Sequence, residues 1–415
     1  MRKEQLEYAC SRFGTPLYIF DLDILKVQTE RIREKLGDGI SLCYAMKANP
    51  FLTAEMAKYV DRIEVCSMGE FRICRELKIP PEKLFISGVL KKKSDLLEIL
   101  EYCRGRCVYT AESVRQFQYL LEWSDANAEM IRLYPRLTSG NQFGMDEDTL
   151  RNVIQIASIS PYVEIEGIHY FSGTQKKKTE QHRKELKYLD EFFEKLQQEQ
   201  QFTVRNLEYG PGTAVPYFKD RNPDTFTDEG LTALGDCIRE MSWNGKVTVE
   251  LGRALAALCG FYLTEIRDVK QNGDTGYCIV DGGSHQLNYD GQIKGMYEPY
   301  IKILPEGMPG QEKSWTICGS LCTVNDVLCR GARLSGVKTG KVLVFERTGA
   351  YSCMEGMALF LSHELPGVVS YDTRNGWRQL REQIETYQMN MPGQYEESGE
   401  KLRVSGTGYQ NYEIV

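Results

Sequence analysis

Short apolar runs alternate with amphipathic segments along the first 255 residues of the chain. Eight of these runs have the length and composition of buried strands, and they begin near Ile40, Arg62, Leu84, Cys107, Met130, Val163, Thr203 and Lys246. The segments between them, such as residues 51–60 and 112–123, repeat apolar residues with a helical period. Eight strands alternating with helices predict a (β/α)8 barrel.

The pattern changes after Leu255. Aromatic and β-branched residues alternate with turn residues at 261–269, 277–283 and 340–346, and residues 412–415 form a last β-like run. Such alternation predicts antiparallel β-structure, arranged as a β-barrel or sandwich. We therefore expect two domains, a barrel over residues 25–255 and a β-rich domain over residues 256–415 together with residues 1–24.

Composition narrows the class of protein. The 415 residues carry a net charge of -7, which argues against a nucleic-acid partner, because phosphate binding needs a basic surface. Neither a signal-like N-terminus nor an apolar run of roughly 20 residues is present, so we expect a cytoplasmic enzyme without a membrane partner. Thirteen cysteines without a zinc-type spacing and only four histidines give no reason to expect a metal site.

Reactive side chains follow the predicted strands, at the barrel end where active sites form. Lys47 ends the first strand, where burial would lower the pKa of its amine and make it a nucleophile. Gly212 follows the seventh strand, and Glu250 and Arg253 follow the eighth. Each alone fits an ordinary rim lysine, turn or surface ion pair. Together they suit pyridoxal phosphate, with its aldehyde on Lys47, its phosphate at Gly212 and Arg253, and its pyridine nitrogen at Glu250.

Seven motifs then occur in order along the chain. They are Tyr-Ala-Met-Lys-Ala-Asn at 44–49, Val-Cys-Ser-Met-Gly-Glu at 65–70, Gln-Phe-Gly at 142–144, Glu-Leu-Gly-Arg at 250–253, Asp-Gly-Gly at 281–283, Cys-Gly-Ser-Leu-Cys-Thr-Val-Asn-Asp at 318–326 and Gly-Ala-Tyr at 349–351. In these motifs the chain resembles the fold-type III pyridoxal-phosphate decarboxylases, which include the diaminopimelate and ornithine decarboxylases. The resemblance covers nearly the whole chain.

The resemblance implies a carbon–carbon lyase that decarboxylates an amino acid in a homodimer with shared active sites. Lys47 would hold the cofactor covalently, and Cys322 would come from the partner subunit to help reprotonate the substrate carbon. The implied cofactor-binding residues are Lys47, His169, Phe171, Thr174, Gly212, Glu250, Gly252, Arg253 and Tyr351. The implied substrate-binding residues are Arg253, Tyr297, Thr323 and Tyr351. Cys322 and Tyr351 are both expected to reach a neighbour's barrel, although Cys322 could also be a structural thiol and Tyr297 a core aromatic.

Three departures from the family pattern concern the substrate and the cofactor ring. Phe171 stands where the family has a ring-stacking histidine, and whether Phe171 or His169 takes that position stays open. Thr323 replaces a glutamate that can pair with a distal amine, and Ile293 replaces an arginine for a distal carboxylate. A site without these charges argues against meso-diaminopimelate and favours a neutral or extended distal end.

The stretches at 173–175 and 355–361 resemble a branch found in natural-product biosynthesis. In the butirosin pathway, a member of that branch decarboxylates a glutamyl group on an acyl carrier protein. An acyl or peptidyl carrier protein is therefore a candidate partner, and a free amino acid stays open as the substrate.

Three alternatives remain. One is a diaminopimelate decarboxylase that makes L-lysine with altered contacts. Another is a catalytically silent, cofactor-binding regulatory homologue, although such a protein would have no chemical need for Lys47, Cys322 and Tyr351 together. The third is an amino-acid racemase, against which Glu250 speaks, because alanine racemase places an arginine at the ring nitrogen.

Overall fold

The computed structural model describes residues 1–219, 221–289, 295–305 and 311–392. The α-helices are α1 (Lys3–Phe13), α2 (Leu22–Leu36), α3 (Thr53–Met56), α4 (Met68–Glu76), α5 (Lys93–Cys103), α6 (Val114–Asn127), α7 (Glu147–Ala157), α8 (Thr179–Gln200), α9 (Asp228–Arg239), α10 (Arg253–Ala256) and α11 (Tyr387–Asn390). The strands of the first sheet are β2 (Ile40–Ala45), β3 (Arg62–Val65), β4 (Leu84–Ile86), β5 (Val108–Ala111), β6 (Ile131–Leu137), β7 (Val163–Ile165), β8 (Gly167–Phe171), β9 (Asn206–Gly210) and β10 (Lys246–Leu251). Those of the second are β1 (Leu17–Asp21), β11 (Gly260–Asn272), β12 (Thr275–Val280), β13 (Ile301–Leu304), β14 (Lys313–Cys318), β15 (Val327–Leu334), β16 (Val342–Glu346), β17 (Gly367–Asp372) and β18 (Gly376–Arg381).

The first sheet closes into a barrel of parallel strands. Its hydrogen-bonded order runs from β2 through β3, β4, β5, β6, β8 and β9 to β10, which pairs with β2 again. Strands β7 and β8 share one barrel position, since both pair with β6 and only residue 166 separates them. The predicted (β/α)8 barrel is confirmed. The strand expected from Thr203 begins later, at Asn206.

Alternation along each strand decides which side chains enter the barrel. In β3, Ile63 belongs to the main hydrophobic core, whereas Arg62 donates from Nη1 to Oε2 of Glu208 at 2.7 Å. The surrounding helices bury one face each. In α7 the buried residues are Leu150, Val153, Ile154 and Ala157, which have the spacing of a helical stripe. The apolar core thus lies between the barrel and its helices, and polar side chains such as Arg62 and Glu208 point into the barrel.

The second sheet is mixed, in the order β15, β14, β12, β11, β1, β17 and β18, with β16 on β11 and β13 on β16. The prediction of an antiparallel domain is wrong for two pairs, because β1 runs parallel to β17 and β12 runs parallel to β14. Strand β1 arrives from the N-terminal region and pairs with both β11 and β17. The domain boundaries at residues 25 and 255 stay predictions, and the β-like run at 412–415 lies outside the described residues.

None of the described helices combines the length and the apolar composition that a membrane-crossing segment requires.

Candidate active site

Lys47 lies at the mouth of the barrel among acidic groups. It follows β2 in a short 3-10 turn, Met46–Ala48. Its Nζ contacts the Glu64 carboxylate, and it lies 3.6 Å from Oε1 of Glu250 and 3.6 Å from Sγ of Cys66. The side chain is 39% exposed, because it faces open cavities, whereas Glu64 is buried.

The acidic surroundings overturn the expected pKa of Lys47. Burial does lower the pKa of its ammonium, as the sequence predicted. However, Cys66, Glu64 and Glu250 raise that pKa, and the net result lies well above the ordinary value. The amine is therefore protonated when the cofactor is absent, and the carboxylates make it a strong ion-pair centre.

Glu250 connects Lys47 to a buried histidine. Its Oε2 lies 3.2 Å from Nε2 of His169, at the other side of the carboxylate from Lys47. Burial and the positive charge of Arg136 lower the pKa of His169 to about 3. The imidazole is consequently neutral at physiological pH, and it donates its Nε2–H to Glu250. His169 also meets the Phe85 ring edge-on, with ring centroids 5.2 Å apart.

A cavity of about 250 Å³ adjoins Lys47 on the side of Gly212 and Arg253. Gly212 has φ +61°, and a Cβ atom there would lie 1.8 Å from the carbonyl oxygen of Gly173, so only glycine fits. Arg253 begins α10 and donates from Nε to Oγ1 of Thr174 at 3.2 Å. These groups line a cradle for an anion.

Tyr351 closes this cradle from the second domain of the same chain. Its ring centroid lies 4.0 Å from Cζ of Arg253, and its backbone N–H donates to the Ala48 carbonyl at 2.7 Å. The residue has φ +62°, a left-handed conformation that is uncommon for tyrosine and typical of functional positions. The expectation that Tyr351 reaches a neighbour's barrel is therefore wrong, since the loop after β16 folds back onto its own barrel.

A second cavity, of about 380 Å³, shares Lys47, Phe171 and Glu250 with the first and extends toward β6. Phe171 thus lines both cavities, whereas His169 lines only the second. Gly252 lines the first cavity, where an added Cβ would lie 2.9 Å from Cβ of Ala48.

Sequence reasoning missed several residues that line these cavities. Arg62 and Glu64 are two residues apart in β3, and Cys66 follows the end of that strand at the same spacing. This period of two would have placed all three side chains inside the barrel. Arg136 in β6 was also missed. It is buried, donates to Oε1 of Glu112 at 3.2 Å and lies 4.8 Å from the Phe143 ring. The available signal was an arginine near the C-terminal end of a predicted barrel strand, where active-site residues lie.

Three predicted residues lie apart from Lys47 in this chain. Cys322 is exposed, on the loop between β14 and β15, and neighbouring Thr323 is partly buried. Neither lines the two cavities around Lys47. Tyr297 lines a separate cavity, near Phe218. Ile293, proposed to replace a substrate-binding arginine, lies outside the described residues.

The acidic cluster has the donor types of a metal site. Ligand atoms of Glu64, His169 and Glu250 lie within 4.8 Å of one another. The Lys47 ammonium, however, contacts both carboxylates and already supplies the positive charge that a cation would bring. The cluster is better described as an ion-pair network around Lys47.

Residues 17–349 match the family described as pyridoxal-dependent decarboxylase, C-terminal sheet domain, so the chain belongs to the pyridoxal-dependent decarboxylases. A Niallia circulans enzyme that decarboxylates the L-glutamyl group of the BtrI acyl-carrier protein is 27% identical over 398 residues, which cover 89% of this chain and 91% of the relative. The diaminopimelate decarboxylase of Methanocaldococcus jannaschii is 26% identical over 82% of each chain. A crystal structure of diaminopimelate decarboxylase from M. jannaschii has the same fold, with a TM-score of 0.81 and 22% identity over 94% of this chain and 95% of that one.

The protein is thus a pyridoxal-phosphate-dependent carboxy-lyase that acts on an amino acid. The residues around Lys47 fit this cofactor. Oγ1 of Thr213, Nε of Arg136 and Nδ1 of His169 are buried and have no hydrogen-bond partner among the described residues. Polar atoms in such positions suit a ligand with phosphate and ring substituents. No Cβ atom fits at Gly212, so the backbone there is free to approach a phosphate group closely.

Proposed function

We propose that this enzyme removes the α-carboxylate of an amino acid whose distal end is extended, such as a glutamyl group on an acyl or peptidyl carrier protein. The observation that carries the proposal is Thr323, which offers no charge where the diaminopimelate enzymes use a glutamate. The 27% identical relative that acts on a carrier-bound glutamyl group supports the same direction.

Each residue around the cofactor has a proposed task. Lys47 would hold the cofactor through its aldehyde group, and the negative charge of Glu250 would keep the ring nitrogen protonated. Bound pyridoxal phosphate supplies the sink for the electron pair released as CO2 leaves. His169 donates to Glu250 and keeps that carboxylate in place, whereas Phe171 offers an aromatic face to the ring.

The phosphate would be held by a mixed set of groups: the backbone at Gly212 and Gly252, the hydroxyl groups of Thr174 and Tyr351, and the guanidinium of Arg253. The close contact between Tyr351 and Arg253 supports this placement. Cys322 is exposed on its own chain, as expected of a thiol that serves the partner subunit's site in a homodimer. Thr323 beside it would face the substrate.

Absorbance and CO2 release test the proposal. Purified with pyridoxal phosphate, the wild type is expected to show a visible band from cofactor bound to Lys47. Lys47→Ala should lack that band, whereas Lys187→Ala, at an exposed position on α8, should keep it. A wild type without the band would overturn the assignment of Lys47.

The substrate panel contains glutamyl-carrier thioester, glutamate, lysine, ornithine, arginine and meso-diaminopimelate. We expect CO2 from the thioester at a kcat/KM at least about tenfold above that of any free amino acid, the size of a modest charge or contact difference. If meso-diaminopimelate were the best substrate, the interpretation of Thr323 would be wrong, and the enzyme would be a diaminopimelate decarboxylase.

A further inference from the structure

A third cavity, of about 510 Å³, opens beside the phosphate cradle and is larger than either cavity at Lys47. Its apolar wall includes the rings of Tyr217, Phe218 and Tyr297, and those of Phe218 and Tyr297 have centroids 5.3 Å apart. Its volume lies within the range of small-molecule sites. The family resemblance assigns a task only to Tyr297 among the residues that line it.

Cations surround this cavity on a chain with an overall negative charge. Lys177, Lys178 and Arg221 line it, and all three are exposed. Across the described ranges, none of them lies within 4.0 Å of a carboxylate oxygen, and Asp224 is the one acidic residue in the lining. Three positive charges against one negative charge give the entrance a local potential that attracts anions.

Arg221 is joined to Tyr297. Its guanidinium carbon lies 3.8 Å from the centroid of the Tyr297 ring. The related decarboxylases place an arginine a few residues before this tyrosine, a position that Ile293 occupies in this sequence. Arg221 comes from a different segment, between β9 and α9, and brings a guanidinium to the same tyrosine.

The cavity shares a wall with the cofactor site. The segments 174–176 and 212–214 run side by side, with Lys176 N–H donating to the Gly212 carbonyl at 2.8 Å and Ala214 N–H donating to the Lys176 carbonyl at 3.1 Å. Thr174 and Gly212 line the cradle at Lys47. Gln175, which follows Thr174, and Ala214, which lies two residues after Gly212, line the larger cavity. The third cavity and the cofactor cradle therefore lie on the two sides of one pair of hydrogen-bonded segments.

We propose that this cavity binds an anionic group, a carboxylate or a phosphate ester, at the non-reacting end of the substrate. Lys177, Lys178 and Arg221 bind the anion, and the aromatic wall holds the chain that leads to it. This proposal rests on the proposed function, because only a substrate with an extended distal end could occupy the cavity; a short free amino acid would leave it empty. It names the group that the enzyme recognises at the far end.

Calorimetric titration of the holoenzyme tests this without any turnover. The probes are pantetheine 4′-phosphate, pantetheine and glutarate. The variants are the double variant Lys177→Gln, Lys178→Gln and the single variant Arg221→Gln, with Lys187→Gln as a matched control on α8. Because every substituted side chain is exposed, folding should not change, and circular dichroism checks that point.

We expect one anionic probe to bind the wild type and the Lys187 control equally, and to bind the two cavity variants about tenfold more weakly, since each exposed charge contributes modestly. Binding of pantetheine 4′-phosphate but not pantetheine identifies a phosphate ester, and binding of glutarate identifies a carboxylate. Equal binding to all variants, or binding of neither anion, would overturn the proposal. Failure to release CO2 with normal anion binding would instead overturn the proposed function alone.

Discussion

Nε2 of His169 lies 3.2 Å from Oε2 of Glu250, and Oε1 of the same carboxylate lies 3.6 Å from Nζ of Lys47. His169 and Glu250 are both buried. Because the histidine is neutral, it can only donate to the carboxylate through Nε2–H and does not cancel its charge. The arrangement fixes the direction of Glu250 while leaving its negative charge available.

Replacing His169 by leucine should therefore remove the hydrogen bond that orients the Glu250 carboxylate, without changing the charge of the site. We expect His169→Leu to lower kcat about tenfold or more, the worth of one hydrogen bond to a charged group. His169→Gln, which retains an N–H donor, should lose less. Steady-state CO2 release measures both, and His363→Gln serves as a control in the second domain. Equal activity of the leucine variant and the wild type would show that Glu250 needs no such support.

The cradle at Gly212 predicts a loss of cofactor affinity. Gly212→Ala would place a Cβ 1.8 Å from the Gly173 carbonyl oxygen, so the two segments that line the cradle must move apart. We expect the Kd for pyridoxal phosphate to rise at least about tenfold, because phosphate contacts depend on close backbone approach.

Gly273→Ala is the matched control for that substitution. Gly273 has φ +57°, close to the φ of +61° at Gly212, but nothing lies within 4 Å of its added Cβ. Gly273→Ala should lower the free energy of unfolding by about 1 kcal/mol, because alanine strains the backbone at this φ, and should leave the Kd for pyridoxal phosphate unchanged. Fluorescence titration with the cofactor and thermal unfolding separate the two effects. A similar Kd for both alanine variants would mean that the Gly212 cradle does not hold the phosphate.

The barrel could be predicted from sequence because its signals are local. Each strand and each helix has its own period of apolar residues. The reactive residues follow the C-terminal ends of the strands, which all lie at one end of the barrel. Lys47 and Glu250 are about two hundred residues apart, yet they meet because β10 pairs with β2, with Glu250 opposite Cys43. Barrel closure alone was sufficient to bring them together.

The pKa of Lys47 could not be predicted in this way. It depends on Cys66, Glu64 and Glu250. The register between β2 and β3 places Glu64 opposite Ala45. The period of two along β3 predicts that Glu64 points into the barrel, but the pairing of β3 with β2 is what brings it to Lys47. The parallel pairing of β1 with β17 was missed for a similar reason, since these strands lie some 350 residues apart in sequence and only the folded chain joins them.

Lys91 predicts a pH-dependent stability. Its Nζ donates to the Gly88 carbonyl at 2.9 Å, to Oγ1 of Thr110 at 3.1 Å and to Oε1 of Gln116 at 3.0 Å, all of them uncharged acceptors. Burial lowers the pKa of Lys91 from 10.5 to about 8. Between these values the unfolded chain holds a proton that the folded chain has lost, so stability rises with pH in this window.

The rise expected from Lys91 is about 3 kcal/mol between pH 8 and pH 10.5. Lys91→Met has no amine to titrate and should lack this part of the pH dependence, whereas Lys93→Met, at an exposed position, should retain it. Urea unfolding of the three proteins at pH 7.5 and pH 10 gives the comparison. If the difference between wild type and Lys91→Met were the same at both pH values, Lys91 would be charged in the folded state.

Cys322 predicts complementation between subunits. The thiol is exposed and does not line the cavities around Lys47 of its own chain, so a role at the reacting carbon requires a second copy. Cys322→Ala should keep the cofactor absorbance and lose CO2 release, and Lys47→Ala should lose both. After the two inactive variants are unfolded and refolded together, half of the dimers carry one intact site, and about a quarter of wild-type activity should return. Refolding Cys322→Ala alone controls for the procedure. A mixture that stays inactive, while refolded wild type recovers, would place Cys322 outside the partner's active site.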